Sequence, residues 1–400
     1  MGPHTSGPQT PYPSRVRTIL ALPRADGDSF LSNRRCSCTI GLMSGFETAP
    51  PDLKPLLSER ISGLSLKIEG SPMEPFVADL YRELEAAGLK RFRPPVYLTD
   101  EWGCPDGEPI IGIPFYLADP KLAALGKEVD DLEDAREIRM YMRHEAGHAF
   151  NYAYRLHRTA EWRKLFGPFN RPYREHYKPV PFDHRFVRHM EGWYAQKHPD
   201  EDFAETFAVW LTPRSRWRQR YEGWPALRKL LYVDRRVAKL GDREPLVRLA
   251  STDITVEEMT MTVEEFFREH APAARPVDAA LDHDLPDLFG TREGDARPAA
   301  EFLRRHRAEL VNKIEYWTGV PRTVVRSLVV KMEETAMRLE LGVPAGHEDA
   351  TLVELTAYAT TLTMNFLTYG RFIPRARARP SDHAVPAARR SHADRRRARR

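Results

Sequence analysis

From Asp134 to Leu156, apolar or small side chains recur at three- and four-residue spacing through Ile138, Tyr141, Met142, Ala146, Ala149 and Ala153. That period predicts a helix with one buried stripe. A second helix is predicted from about Pro199 to Leu211, with Phe203, Phe207, Trp210 and Leu211 buried. Proline suits a first helical position, where an N–H would go unpaired anyway. Met73–Ala87 predicts an earlier helix carrying Phe76, Leu80, Tyr81 and Leu84 on one side. Between them, Pro95–Thr99 and Pro109–Leu117 read as two strands joined by a Gly/Pro/Asp turn. Gly112 and Pro114 limit how regularly the second of these can pair. A core hairpin fits the same residues.

Further along, residues 158–198 lack a period but are rich in aromatics, proline, arginine and histidine. So many large rings need a place to pack, which predicts an ordered loop walling part of a cleft. Short packing helices are expected between Pro213 and Lys239, and another helix over Thr255–His270. A Pro/Ala/Asp-rich linker follows over 271–299, then helices at about 299–318, 321–341 and 349–370 that form a C-terminal bundle.

The first helix carries the chemistry. His144-Glu145-Ala146-Gly147-His148 puts two imidazoles four residues apart, on one helix face, with a carboxylate beside them. Both rings can then meet one metal ion while Glu145 handles an activated water. A core helix with two satisfied histidines would explain neither the adjacent glutamate nor the shared face. Gly147 costs about 1 kcal/mol against alanine inside a helix, tolerable where a neighbouring chain must come close.

The second helix offers the rest of the donor set. Glu201 and Glu205 are four apart, so both carboxylates share one side. One could bind a zinc ion while the other accepts a ligand histidine's remaining N–H. The competing account is an acidic first turn stabilised by the helix dipole, which covers Asp200, Glu201 and Asp202 more readily than Glu205. Spacing does not choose between Glu201 and Glu205 as ligand. His176, His184, His189 and His198 are spare candidates, each more readily read as structural or solvent-facing.

Together these two segments resemble the gluzincin class of zinc metallopeptidases, and more narrowly a bacterial family described as putative zinc-binding metallopeptidases. The run Glu201-Asp202-Phe203-Ala204-Glu205-Thr206-Phe207 is also similar to the corresponding stretch of the anthrax lethal factor catalytic domain. The resemblance covers about residues 95–225 and is specific at the pentad and second helix. It implies Glu201 as third zinc ligand after His144 and His148, with Glu205 supporting a ligand histidine. It also implies a catalytic role for Tyr194, seven residues before Glu201, whose phenol could stabilise an oxyanion; aromatic packing is the plainer reading of Trp193 and Tyr194. The implied activity is zinc-dependent hydrolysis of peptide bonds by an activated water, with Glu145 as general base. A zinc-binding protein with a structural or regulatory role is the alternative, and a retained Glu145 argues against it.

The resemblance implies an α+β fold: a zincin-like domain over 51–240 with a small sheet ahead of its active-site helices, whose edge strand, here Ile110–Leu117, would line the cleft and could pair with an extended peptide. A mainly helical region over 241–370 follows. The chain has 400 residues, 42% of them hydrophobic, enough for a sizeable core. No apolar run approaches eighteen residues, so no spanning helix is expected. Cys36, Cys38 and Cys104 form no recognisable disulfide framework or cysteine zinc motif, and with the poor signal-peptide character of the N-terminus they favour a cytoplasmic setting. Residues 1–50 are expected to be disordered, and Met43 opens better-behaved sequence. Residues 371–400 hold eleven arginines and two aspartates, a local +9 that leaves −5 on the remainder of a chain whose net charge is +4. A disordered, solvated tail suits that composition better than a nucleic-acid-binding element, since it has one aromatic and the body shows no familiar motif. The expected partner is a peptide or protein substrate.

Overall fold

A computed structural model describes residues 53–129, 133–173, 177, 179–247, 251–270, 281–292, 294, 296–370 and 372. The two terminal extensions, residues 1–50 and nearly all of 371–400, lie outside the described residues, as do His176, Cys36 and Cys38.

The main helices are α1 (Glu74–Ala86), α2 (Pro120–Val129), α3 (Ala135–Ala153), α4 (Pro199–Leu211), α5 (Leu227–Leu240), α6 (Val263–His270), α7 (Ala299–Thr318), α8 (Arg322–Arg338) and α9 (Glu348–Tyr369). Among the described residues none is long and apolar enough to cross a membrane. The chain divides into two compact units, one comprising residues up to Pro276 together with Ala308–Ser327, the other Val277–Arg307 and Leu328 onward.

In the first unit α3 starts at a capping box. Asp134 accepts from the N–H groups of Arg136 and Glu137, and Glu137 returns the bond to the Asp134 N–H. Such a pair satisfies donors that helix geometry leaves open. The helix stops before Arg155, which takes a left-handed φ of 52°. His198 caps α4, its Nδ1 accepting from the Asp200 N–H, and Pro199 is the first helical residue. α3 and α4 then pack face to face. A Cβ on Gly147 would lie 2.8 Å from Ala204 Cα and 2.9 Å from its carbonyl oxygen, so the absent side chain is what lets the backbones approach. Phe150 and Phe207 close the contact one turn on, with ring centroids 5.1 Å apart. α1 braces the outer side of α3 through a two-pronged Arg143–Glu83 pair at 2.6 and 2.7 Å, and α5 packs against α4.

The sheet departs from the predicted hairpin. β1 (Val96–Thr99) and β2 (Ile111–Pro114) are parallel, with Val96 opposite Ile111 and Thr99 opposite Pro114. Residues 100–110 therefore cross back instead of making a tight turn. Nor does β2 present an open edge: Gly103 exchanges backbone hydrogen bonds with Gly112, every residue of β2 is buried, and Phe115–Ala118 turn into a 3-10 helix. A run apolar on both faces belongs inside, and Gly112, where a Cβ would lie 3.3 Å from the Gly103 carbonyl oxygen, lets the third backbone close over it.

The predicted helix over Thr255–His270 is also broken. Val256–Glu258 form one 3-10 turn under a Thr255 capping box. Met259 and Met261 then give their carbonyls to the N–H groups of Ser62 and Ile61, and only from Val263 does α6 begin. Backbone pairing with residues 59–62 has displaced the helical bonds there.

In the second unit the predicted linker, where described, contains a helical turn (Leu285–Leu288). Two short strands, β3 (Gly290–Thr291) and β4 (Arg297–Pro298), flank β5 (Leu341–Val343) in an antiparallel sheet of order β3-β5-β4. Its helices are tied by Glu333, which pairs with both Arg304 and Arg307. The bundle expected from periodicity thus includes a small sheet whose strands were too short to show an alternation.

Candidate metal centre

His144 and His148 face α4 from successive turns of α3. Their Nε2 atoms are 3.1 Å apart, and Glu201 Oε2 lies 3.0 Å from the first and 3.1 Å from the second. All three residues are buried, at 1%, 4% and 1% exposure, and together they form a group able to hold a metal ion.

Each imidazole is held from behind by its own carboxylate. His144 Nδ1 is 2.9 Å from Glu205 Oε1, and His148 Nδ1 is 2.9 Å from Asp200 Oδ2. With Nδ1–H donated to those acids, both Nε2 atoms present lone pairs, and two lone pairs and a carboxylate oxygen that converge this closely call for a cation among them. A tetrahedral ion with bonds of about 2.0 Å has ligand–ligand edges of about 3.3 Å, so small outward shifts of the three donors accommodate it. The residues present fit a metal.

Protons compete for the same atoms. Burial works against a charged imidazole, but the hydrogen bonds to Glu201 and Glu205 outweigh it and push His144 up to about 9. His148 is raised as well, with burial again outweighed, here chiefly by the charges of Asp200 and Glu201. Glu201 moves the other way, well below the ordinary carboxylate range, because the two histidines overcome its burial. The metal-free cluster is accordingly a buried ion-pair network.

Both supporting acids are themselves anchored. Glu205 Oε2 accepts from the N–H groups of His189 and Met190, which ties the incoming chain to the centre of α4. Asp200 accepts from Tyr152 at 2.6 Å through the oxygen that meets His148, and from Asn151 Nδ2 at 2.7 Å through the other. Sequence reasoning missed this network, reading Asp200 as a first-turn acid. The available signal was on α3: His148, Asn151 and Tyr152 put three polar groups at i, i+3 and i+4 on a face that is otherwise apolar.

Glu145 is buried beside the cluster, and its charge acts on both His144 and Tyr194. Tyr194 is fully buried, with its ring edge-on to His144 at a centroid distance of 5.6 Å. It sits in an unusual stretch of backbone, since Gly192 and Trp193 have consecutive left-handed φ values of 69° and 58°. Such a conformation in tryptophan persists only where surroundings impose it. Tyr177 donates to the Gly192 carbonyl at 2.6 Å. The Arg188 guanidinium lies over the Trp193 ring at 4.1 Å and the Tyr316 ring at 4.4 Å, and donates to the Tyr316 carbonyl. Gly319, itself left-handed at φ 72°, packs so tightly on the Trp193 indole that no side chain fits.

The structure does not bring the described spare histidines into the donor set. His184 stacks on Trp224 at 3.8 Å, His189 meets the Met140 carbonyl, and His198 caps α4 while its Nε2 meets the Arg171 carbonyl. A cavity of about 1250 Å³ lined by Arg82, Trp210, Arg214, Arg216 and Trp217 contains none of the cluster residues.

The arrangement is two histidines and a glutamate around one point, with a further glutamate next to the first histidine. Residues 124–217 match a family model described as "Putative zinc-binding metallo-peptidase". That span contains α3, α4 and the segment between them. No curated protein and no solved structure matches the chain.

Proposed function

We propose that the protein is a zinc-dependent metallopeptidase, with His144, His148 and Glu201 as metal ligands, Glu205 and Asp200 orienting the two imidazoles, and Glu145 as general base. The convergence of Nε2, Nε2 and Oε2 on one buried point, with Glu145 adjacent, is the observation that carries this reading. The family match over the same residues supports it. Two nitrogens and one carboxylate oxygen suit zinc better than calcium or magnesium, which prefer oxygen donors. A bound zinc ion supplies Lewis acidity and lowers the pKa of a coordinated water toward neutrality.

The protein's own groups do the proton work. Glu145 accepts a proton from the water that attacks the scissile carbonyl and delivers one to the departing amine nitrogen. Tyr194 donates its hydroxyl hydrogen to the oxygen that gains charge at that carbonyl. Glu205 and Asp200 keep Nδ1–H occupied, so each ligand histidine presents Nε2 in the correct tautomer.

Two measurements test this. Metal analysis of the purified protein should find close to one zinc per chain. Glu145→Gln should retain that zinc while peptide hydrolysis falls by about 10²–10⁴-fold. Undiminished hydrolysis in this variant would remove Glu145 from the mechanism, and a wild type without affinity for zinc would remove the centre.

A further inference from the structure

Glu201 has two carboxylate oxygens, and only Oε2 faces the imidazoles. Oε1 accepts a hydrogen bond of 2.9 Å from the hydroxyl of Tyr173, a residue between the two helices that sequence reasoning did not single out. The same hydroxyl lies 3.3 Å from that of Tyr194. Tyr173 is held in place by contacts along its own stretch of chain. Phe169 stacks on His157 with centroids 4.3 Å apart, and the Arg171 carbonyl meets His198 Nε2 at 2.8 Å. The Tyr173 ring then lies 5.4 Å from the His198 ring, with the buried Lys197 ammonium over its face at 4.5 Å.

The division of labour between the Glu201 oxygens has a chemical consequence. A carboxylate can hold a metal through one oxygen or chelate it through two, and chelation takes up a position that the reaction needs for water. A phenol donating to Oε1 makes a charge-assisted bond that must be given up before that oxygen can turn to the metal. We propose that Tyr173 is a positioning residue that restricts Glu201 to binding through Oε2 and so keeps a coordination position open. This rests on the metal-site reading above and adds to it a control over coordination number. It also separates the two tyrosines: Tyr173 acts on the ligand, and Tyr194, packed against His144, acts on the substrate.

Cobalt(II) in place of zinc reports coordination number through its visible absorption, which weakens as four ligands become five, without any substrate present. The full chain and its Tyr173→Phe and Tyr194→Phe variants would be titrated with cobalt alone, and peptide hydrolysis then followed with zinc. All three should take up one cobalt per chain. Tyr173→Phe, which keeps the ring against His198, should show a weakened band and a kcat lowered by about 10–100-fold, the usual effect of losing an outer-shell partner. Tyr194→Phe should keep the wild-type spectrum. Full cobalt uptake by Tyr173→Phe with an unaltered spectrum would overturn the role of Tyr173 and leave the metal site standing. Failure of the wild type itself to bind cobalt would overturn both.

Discussion

Two regions of the first unit meet at the cluster, and they are built by different means. α3 and α4 deliver His144, His148, Asp200, Glu201 and Glu205 from regular backbone, where helical period sets which side chains share a face. The segment between them delivers Tyr173 and Tyr194 from backbone without a period, held by stacked rings, carbonyl contacts and the two left-handed residues at 192 and 193. The helix pair therefore depends on one shared contact stripe. The covering segment depends on separate anchors, so losing one should shift Tyr173 and Tyr194 while leaving His144, His148 and Glu201 in register.

The severest way to break this contrast is at the stripe itself. Gly147→Val places carbon where the Ala204 backbone already lies, and overpacking of this kind costs about 1–3 kcal/mol. Calorimetry should show a lowered Tm, and metal analysis a loss of zinc, because the donors part along with the helices. Retained zinc at an unchanged Tm would mean that the close approach does not set the donor spacing.

Next come the two supporting acids. Asp200→Asn and Glu205→Gln should each weaken zinc binding by about 10–100-fold in a competition titration with a chromophoric chelator. Of the two, Glu205→Gln should also disturb the covering segment, since Oε2 holds the His189 and Met190 N–H groups. Hydrogen exchange at those two amides would reveal it.

A smaller, graded effect is expected from pH. His144, raised to about 9 without metal, carries a proton at neutral pH that zinc must displace. Below about pH 9 the apparent zinc affinity should fall with acidification, by about tenfold per pH unit for each displaced proton. Calorimetric titrations in buffers of different ionisation enthalpy should therefore show protons released on zinc uptake. Affinity independent of pH from 6 to 8, a range of about two units in which this linkage acts, would contradict it.

The smallest effect on the metal is expected where the covering segment alone is changed. Gly319→Ala drives a methyl group into the Trp193 indole at a left-handed position, so an overpacking cost of about 1–3 kcal/mol adds to a backbone cost of about 1–2 kcal/mol. Zinc content should stay at the wild-type level while hydrolysis declines, because Trp193 precedes Tyr194 and the metal donors lie on other elements. A parallel loss of zinc would mean that the two regions are not separable.

The same contrast explains what could be read in the sequence. Helix spans were legible to within a few residues: Asp134–Leu156 was expected and Ala135–Ala153 is found, and the second helix starts at the expected Pro199. That His144 and His148 could meet an acid of the second helix was legible too, because a helix converts spacing into direction, but spacing left Glu201 and Glu205 open and only the family resemblance pointed to Glu201. Asp200 was obscured by its second identity as a first-turn acid. Tyr173 was one ring among many in a stretch where no period says which one turns inward. The parallel β1–β2 pair was misread for a related reason, since a Gly/Pro/Asp turn signal does not distinguish a chain that folds back from one that crosses over. In Thr255–His270, backbone bonds to residues more than 190 positions away in sequence decided the outcome, and local pattern carries no record of them.

The contact at Gly147 has a consequence for metal choice. With the backbones of α3 and α4 already touching, the donors on each behave like the jaws of a gauge whose stop has been set. An ion with bonds of about 2.0 Å needs donor separations of about 3.3 Å, slightly wider than the 3.0–3.1 Å found, which small side-chain rotations supply. One with longer bonds, such as calcium at about 2.3–2.6 Å, would need the donors farther apart still. In the proposed site, the hydrogen atom that stands for a side chain at Gly147 helps to fix how far apart the donors of the two helices lie.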